Sequence, residues 1–393
     1  MRYITTVLLV FMAIVVSSWS AADQGDIVIG TSHTIHSEVL DEERTFSVYV
    51  PPGYEGSDLK YPLLVTLDGY FVAPVGVVDY LGGTGNIPRM IVVAVDSTDR
   101  DRDFTPTRAK DLHGELLPTS GGAPDFARFL SDELIPHLEA RYRLEDYRII
   151  AGHSLGGLFA TYVLLEKPGL FQAYYAASPT LPWDGRWVER RAKTALRLAY
   201  DRPVFFSLIM DSQTGRMADD SRRFVDVLKT ANSINLEWKF ETYTEEDHIS
   251  CFLIGFYDAL RSLYHDYKIP GSMIEAGDAE GIERHYRALS TRFGYEMTPT
   301  WSFLDWIANW HRLMHRQREA LALYRLATQY FPESSAAHQR VGEVCELNGD
   351  LDQAIEAYRR ALAYATGPEQ VEIVKGCIAR VEAERSSDAA NVS

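Results

Sequence analysis

From Ile27 to about Tyr267 the chain alternates short apolar runs with longer stretches of helical periodicity. Thr45-Phe46-Ser47-Val48-Tyr49-Val50 ends at Pro51-Pro52-Gly53, which predicts a strand stopped by turn chemistry. Leu63–Leu67 and Met90–Val95 are nearly continuous apolar runs, the signature of strands buried on both faces of a parallel sheet. Arg148–Gly152 and Val204–Ile209 read the same way, and Leu236–Tyr243 is a further strand-like run. Amphipathic stretches such as Asp125–Tyr142 and Ser221–Ala231 lie between them and predict helices. Strands alternating with helices predict an α/β domain with a mainly parallel central sheet.

Beyond Pro270-Gly271 the pattern becomes wholly helical and repeats. Ala320, Tyr324 and Ala327 return as Ala354, Tyr358 and Ala361, a shift of 34 residues, the period of tetratricopeptide repeats. Small residues at that spacing let paired helices approach, and the aromatic packs between units. The expected organisation is a hydrolase domain over 23–268, a linker and connecting helix over 269–300, helical repeats over 301–385 and a disordered tail over 386–393.

The first 22 residues hold one charge, Arg2, then the apolar run Val7–Val16 and the small residues Ser20-Ala21-Ala22. This order predicts a secretory signal peptide over 1–22, with an apolar run shorter than the about 20 residues a membrane span needs. The expected compartment is periplasmic or extracellular, with no membrane span left after cleavage. Three cysteines are too few for a disulfide scaffold, and Cys345 with Cys377 is the one pair considered for a bridge. The net charge of −16 speaks against nucleic-acid binding, which draws on a basic face.

Candidate chemistry centres on Gly152-His153-Ser154-Leu155-Gly156-Gly157, set between a predicted buried strand and the apolar helix Leu158–Leu165. Gly-x-Ser-x-Gly in a strand–turn–helix setting is a nucleophile elbow, and its glycines leave room for a sharp turn. A serine hydroxyl needs a base, and His248 follows the strand-like run 236–243 in the chain order of α/β-hydrolases. His153 reads as a packing or hydrogen-bonding neighbour. Asp211, just past the strand ending near Met210, is the candidate acid that would orient the imidazole; a Ser–His dyad without an acid is the alternative. The oxyanion hole would use the Leu155 N–H and a second N–H from Gly69 or Tyr70 in the loop Leu67–Phe71. Arg102 and Trp183 are candidate substrate contacts. No His-Glu-x-x-His, paired cysteines or phosphate loop is present, so no metal and no organic cofactor is expected.

Leu67-Asp68-Gly69, Arg102-Asp103-Phe104-Thr105-Pro106-Thr107, the elbow, Ser178-Pro179 and Asp247-His248 occur in an order that carries a resemblance. The chain resembles the esterase family of α/β-hydrolases that includes esterase D-type enzymes and the enterobactin (siderophore) esterases. The resemblance spans about residues 30–267 and implies Ser154 as nucleophile, His248 as base and Gly69 near the oxyanion hole. It departs at the acid, where relatives often carry Glu and this chain has Ser212-Gln213-Thr214. The expected function is a secreted serine esterase with an α/β-hydrolase domain, acting on a small-molecule ester of siderophore or short acyl type. An acyltransferase with the same nucleophile is one alternative. The other is a vestigial hydrolase that binds a protein partner through its repeats.

Overall fold

The computed structural model describes residues 27–392 apart from 57, 111–113, 198–199 and 212–215. The expected signal peptide, 1–22, lies outside the described residues. Eight strands form one sheet in the order β1-β2-β4-β3-β5-β6-β7-β8. They are β1 (Thr31–Ser37), β2 (Glu42–Tyr49), β3 (Tyr61–Thr66), β4 (Ile91–Val95), β5 (Leu144–His153), β6 (Ala173–Ala177), β7 (Val204–Met210) and β8 (Leu236–Thr242). β1 and β2 are antiparallel to their neighbours, and every pairing from β4 through β8 is parallel. The central strands β3, β4, β6 and β7 are buried along their whole length, as strands of a parallel sheet covered on both faces.

Two cores flank the sheet. On one face Phe46, Leu63, Val65 and Val93 pack under the helix Leu155–Glu166 and its neighbours. On the other, Leu64, Val92, Ile149 and Ile209 meet the helices Val72–Gly83 and Cys251–Leu263. The helix predicted over 125–142 is broken into α, π and α segments, Ala123–Arg128, Phe129–Leu134 and Ile135–Glu139. Pro136 has no N–H to give, and its ring crowds the preceding carbonyls, which accounts for the widened turn before it.

The region after residue 270 is all helical; its first part shares a core with the sheet, while Cys345, Tyr358, Val374 and Val381 form a small core of their own. Phe293 and Tyr295 reach the Tyr147 ring of β5, with ring centroids 5.3 and 5.8 Å away, and Phe293 stacks on Tyr264 at 4.9 Å. Ile282, Leu289, Leu304 and Tyr324 thus continue the second hydrolase core outward. The stretch 269–300 holds two helices, Gly271–Ala276 and Ala279–Phe293. Helices Trp301–Leu313 and Gln317–Tyr330, then Ser335–Leu347 and Leu351–Ala363, pack as successive pairs. Thr300 and Ser334 cap the first helix of each pair, accepting from the N–H groups of Phe303 and Ala337. Gly342 is needed because a Cβ there would lie 2.6 Å from the buried Tyr358 ring. The last helix, Pro368–Val392, runs through the stretch expected to be a disordered tail. Cys251, Cys345 and Cys377 are free thiols, so the Cys345–Cys377 bridge considered above does not form here.

Candidate active site

β5 ends at His153, and the chain turns at once into the helix Leu155–Glu166, with Ser154 as the joint. Ser154 takes φ 58° and ψ −113°, a conformation that a serine adopts only under constraint from its surroundings. The surroundings are tight. A Cβ on Gly152 would lie 2.2 Å from the Gly156 carbonyl oxygen, and one on Gly157 would lie 3.0 Å from the Ala177 oxygen. The Ser154 N–H is held by the Ala177 carbonyl at 2.9 Å, which ties the elbow to β6. Leu155 opens the helix, where N–H groups are unpaired and the dipole favours negative charge.

His248 lies in the loop between β8 and the helix Cys251–Leu263. Asp247 shapes this loop by accepting the N–H groups of Ile249 and Ser250 at 2.9 and 2.7 Å; those bonds lower its own pKa. His248 Nδ1 is 3.0 Å from Asp211 Oδ2. Asp211 is the residue after β7 and is buried, and its N–H is fixed by Ser178 Oγ at 3.1 Å. The His248 ring also lies 4.5 Å from the ring of His153, the residue before Ser154. The structure therefore brings residues 153, 211 and 248 to one place beside the elbow.

Other expected positions fall differently. The Gly69 N–H goes to the Val95 carbonyl of β4 at 3.0 Å and the Tyr70 N–H to the Leu67 carbonyl at 3.2 Å, so both expected oxyanion donors already have main-chain acceptors. Asp68 takes φ 58° in this turn. Its carboxylate overhangs the start of the Ser154 helix, 3.2 Å from where a Gly156 Cβ would be. Arg100 grips that carboxylate with two bonds of 3.1 Å. Tyr70 stacks on Phe252 at 4.7 Å and so joins this loop to the helix that follows His248.

Arg102 is engaged elsewhere. It pairs with Glu42 and, at 2.8 Å, with the fully buried Asp103, which also meets the buried Arg44 at 2.7 Å. Trp183 belongs to the core and donates from Nε1 to Thr107 Oγ1 at 3.2 Å. Both side chains thus have structural partners within the fold. Sequence reasoning missed Arg100, because nothing in the run Asp99-Arg100-Asp101-Arg102-Asp103 says which arginine faces the elbow. The phase of the short helix Arg100–Phe104 decides it.

A cleft of about 260 Å³ among Tyr147, Val204, Leu236, Glu237 and Arg292 lies at the N-terminal ends of β7 and β8, the opposite strand ends from Ser154. Its Arg292 is paired with Asp266 and Glu237. Among the described residues no group of three or more His, Cys, Asp or Glu gathers to hold a metal ion. No helix among them is long and apolar enough to cross a membrane.

Residues 37–249 match the family described as "Putative esterase". Ferri-bacillibactin esterase BesA of Bacillus subtilis (strain 168) is 31% identical over 250 residues, covering 57% of this chain and 86% of that protein. An IroE-like serine hydrolase from Shewanella oneidensis superposes with a TM-score of 0.67 at 27% identity, over 77% of this chain and 99% of the other. An uncharacterised protein from Capnocytophaga ochracea DSM 7271 shares the fold at a TM-score of 0.64 and 20% identity, over 90% of this chain and 99% of its own. The chain belongs to this esterase family, with an α/β-hydrolase fold, and is a carboxylic ester hydrolase.

Proposed function

We propose that this family member is a secreted serine esterase acting through an acyl-enzyme, with Ser154, His248 and Asp211 as its triad. The observation that carries the reading is the Asp211–His248 contact of 3.0 Å, set beside a serine at a strained strand–helix joint. Ser154 Oγ attacks the ester carbonyl carbon, and His248 Nε2 takes the hydroxyl proton. The resulting oxyanion is held by the Leu155 N–H at the helix start. Collapse breaks the C–O bond to the alcohol, which leaves with the proton from His248. Water, deprotonated by His248, then attacks the acyl carbon and frees Ser154 and the acid.

The name of the Bacillus relative supports a siderophore-type ester as substrate, and that of the Shewanella structure supports a serine nucleophile. The apolar run and small residues of positions 7–22 support secretion. The 34-residue recurrence of Ala, Tyr and Ala supports a tetratricopeptide-like pair of repeats in the helical region.

The test replaces Ser154 by Ala in the full chain and measures turnover of an activated aryl ester and of a catecholate siderophore ester. We expect kcat to fall by about 10³-fold or more with an unchanged unfolding midpoint. Wild-type turnover by the variant would overturn the mechanism.

A further inference from the structure

His153 precedes the nucleophile in the chain and is not needed to explain the elbow. Its side chain is 5% exposed and is surrounded by Tyr70, Phe252 and His248, with ring centroids 6.3, 6.2 and 4.5 Å away. Its Nε2 forms a hydrogen bond with the main-chain carbonyl of His248. A carbonyl only accepts, so Nε2 carries the proton and donates.

We infer that His153 is a positioning residue for ester hydrolysis, its Nε2–H tethering the loop of the catalytic base to the strand that carries the nucleophile. The inference rests on the assignment of Ser154 and His248 above.

The two anchors of His248 have different jobs. Asp211 holds the ring at Nδ1, and that bond fixes tautomer and tilt. It does not fix where the backbone carries the ring, because residues 244–250 lie outside helix and strand. The carbonyl of His248 supplies that second anchor. Cys251 Sγ also approaches it, at 3.4 Å, but a thiol is a weak donor. The imidazole N–H is the stronger partner, and its own backbone is locked in the sheet through the pairing of His153 with Ala177. One bond across 95 residues of sequence thus makes nucleophile and base move as a unit. The surroundings favour the neutral tether: burial first, then the nearby His248, hold the His153 pKa below its ordinary value. A second fixed cation here would oppose the imidazolium that His248 becomes during reaction.

The experiment compares His153→Leu, His153→Gln and His153→Asn in the full-length protein. Gln can place an amide N–H near the position of Nε2, Asn is one methylene too short, and Leu packs without a donor. With an activated aryl ester, we expect Leu to lose about 10- to 100-fold in kcat with KM within about 3-fold of wild type. Labelling of Ser154 by a fluorophosphonate should slow in parallel. Gln should recover kcat to within about 5-fold of wild type and exceed Asn by about 10-fold. Wild-type kcat in the Leu variant, or equal losses in Gln and Asn, would overturn the tether. The Gln–Asn comparison stands even if the Leu variant fails to fold. Ser154→Ala is measured alongside. An inactive Ser154→Ala beside a wild-type-like Leu variant removes only the tether, whereas an active Ser154→Ala removes the assignment beneath it.

Discussion

Asp211 and His248 are 37 residues apart in the chain and 3.0 Å apart in space, carboxylate Oδ2 to imidazole Nδ1. The carboxylate is buried at the end of β7, while the imidazole is partly exposed, so the pair has an anchored end and an end open to solvent. Replacing Asp211 by Asn keeps the shape and removes the charge that stabilises the imidazolium and selects its tautomer. We expect kcat to fall by about 10²- to 10⁴-fold with KM nearly unchanged, as read from steady-state hydrolysis of an aryl ester.

The elbow tolerates no added atom at Gly152. Its Cβ would meet the Gly156 carbonyl at 2.2 Å, and backbone on both sides of that contact is fixed by strand and helix. Gly152→Ala should therefore cost about 3 kcal/mol or more and shift the thermal midpoint down by several degrees. Differential scanning calorimetry of the variant reads the shift directly.

Arg102 acts on stability. It shares Asp103 with Arg44 and also pairs with Glu42, inside a cluster whose carboxylate is fully buried. Burial pushes the Asp103 pKa up while the two arginines oppose that rise, so losing one arginine weakens the charged form. Arg102→Ala should lower stability by about 1–2 kcal/mol in urea titration and leave KM for an aryl ester unchanged.

The first part of the helical region and the sheet share one apolar core through Phe293 and Tyr147. Phe293→Ala should cost about 3–5 kcal/mol, because the ring fills a site closed from both sides. Urea unfolding followed by fluorescence and by circular dichroism should give one coincident transition for the full chain. A chain ended at residue 268 should be poorly soluble, since it bares the surface that Phe293 and Ile282 cover.

Acid should destabilise the protein through two histidines. Burial lowers the pKa of His153 and of His137 below the ordinary 6.5. The unfolded chain then takes up protons before the folded one does, so stability is complete above about pH 6.5 and declines as pH falls towards the lowered values. The thermal midpoint should drop between pH 7 and pH 5, and His153→Gln should flatten that slope.

Local chemistry made much of this readable from the chain alone. An apolar run between turn residues can be buried on both faces only in a covered sheet, so β3, β4, the end of β5 and β7 were legible. β6, Ala173-Tyr174-Tyr175-Ala176-Ala177, was not, since three of its five residues are alanine, which strands do not favour. Its Tyr174 is fully buried in the core.

The elbow at Ser154, the following helix and the 34-residue recurrence are patterns within short windows, and a short window contains all the forces that produce them. The choice of Arg100 over Arg102 beside the elbow depends on helix phase and on where Glu42 and Arg44 arrive from another strand. Likewise, the Gly69 N–H finds its acceptor on Val95 only once β3 and β4 lie side by side, whereas the Tyr70 N–H is taken by Leu67 within the turn. Composition and periodicity dictate which segments become strand or helix, because those preferences act between near neighbours. Which polar groups end up partnered, and which stay open to react, is set by contacts between distant segments that no local pattern records.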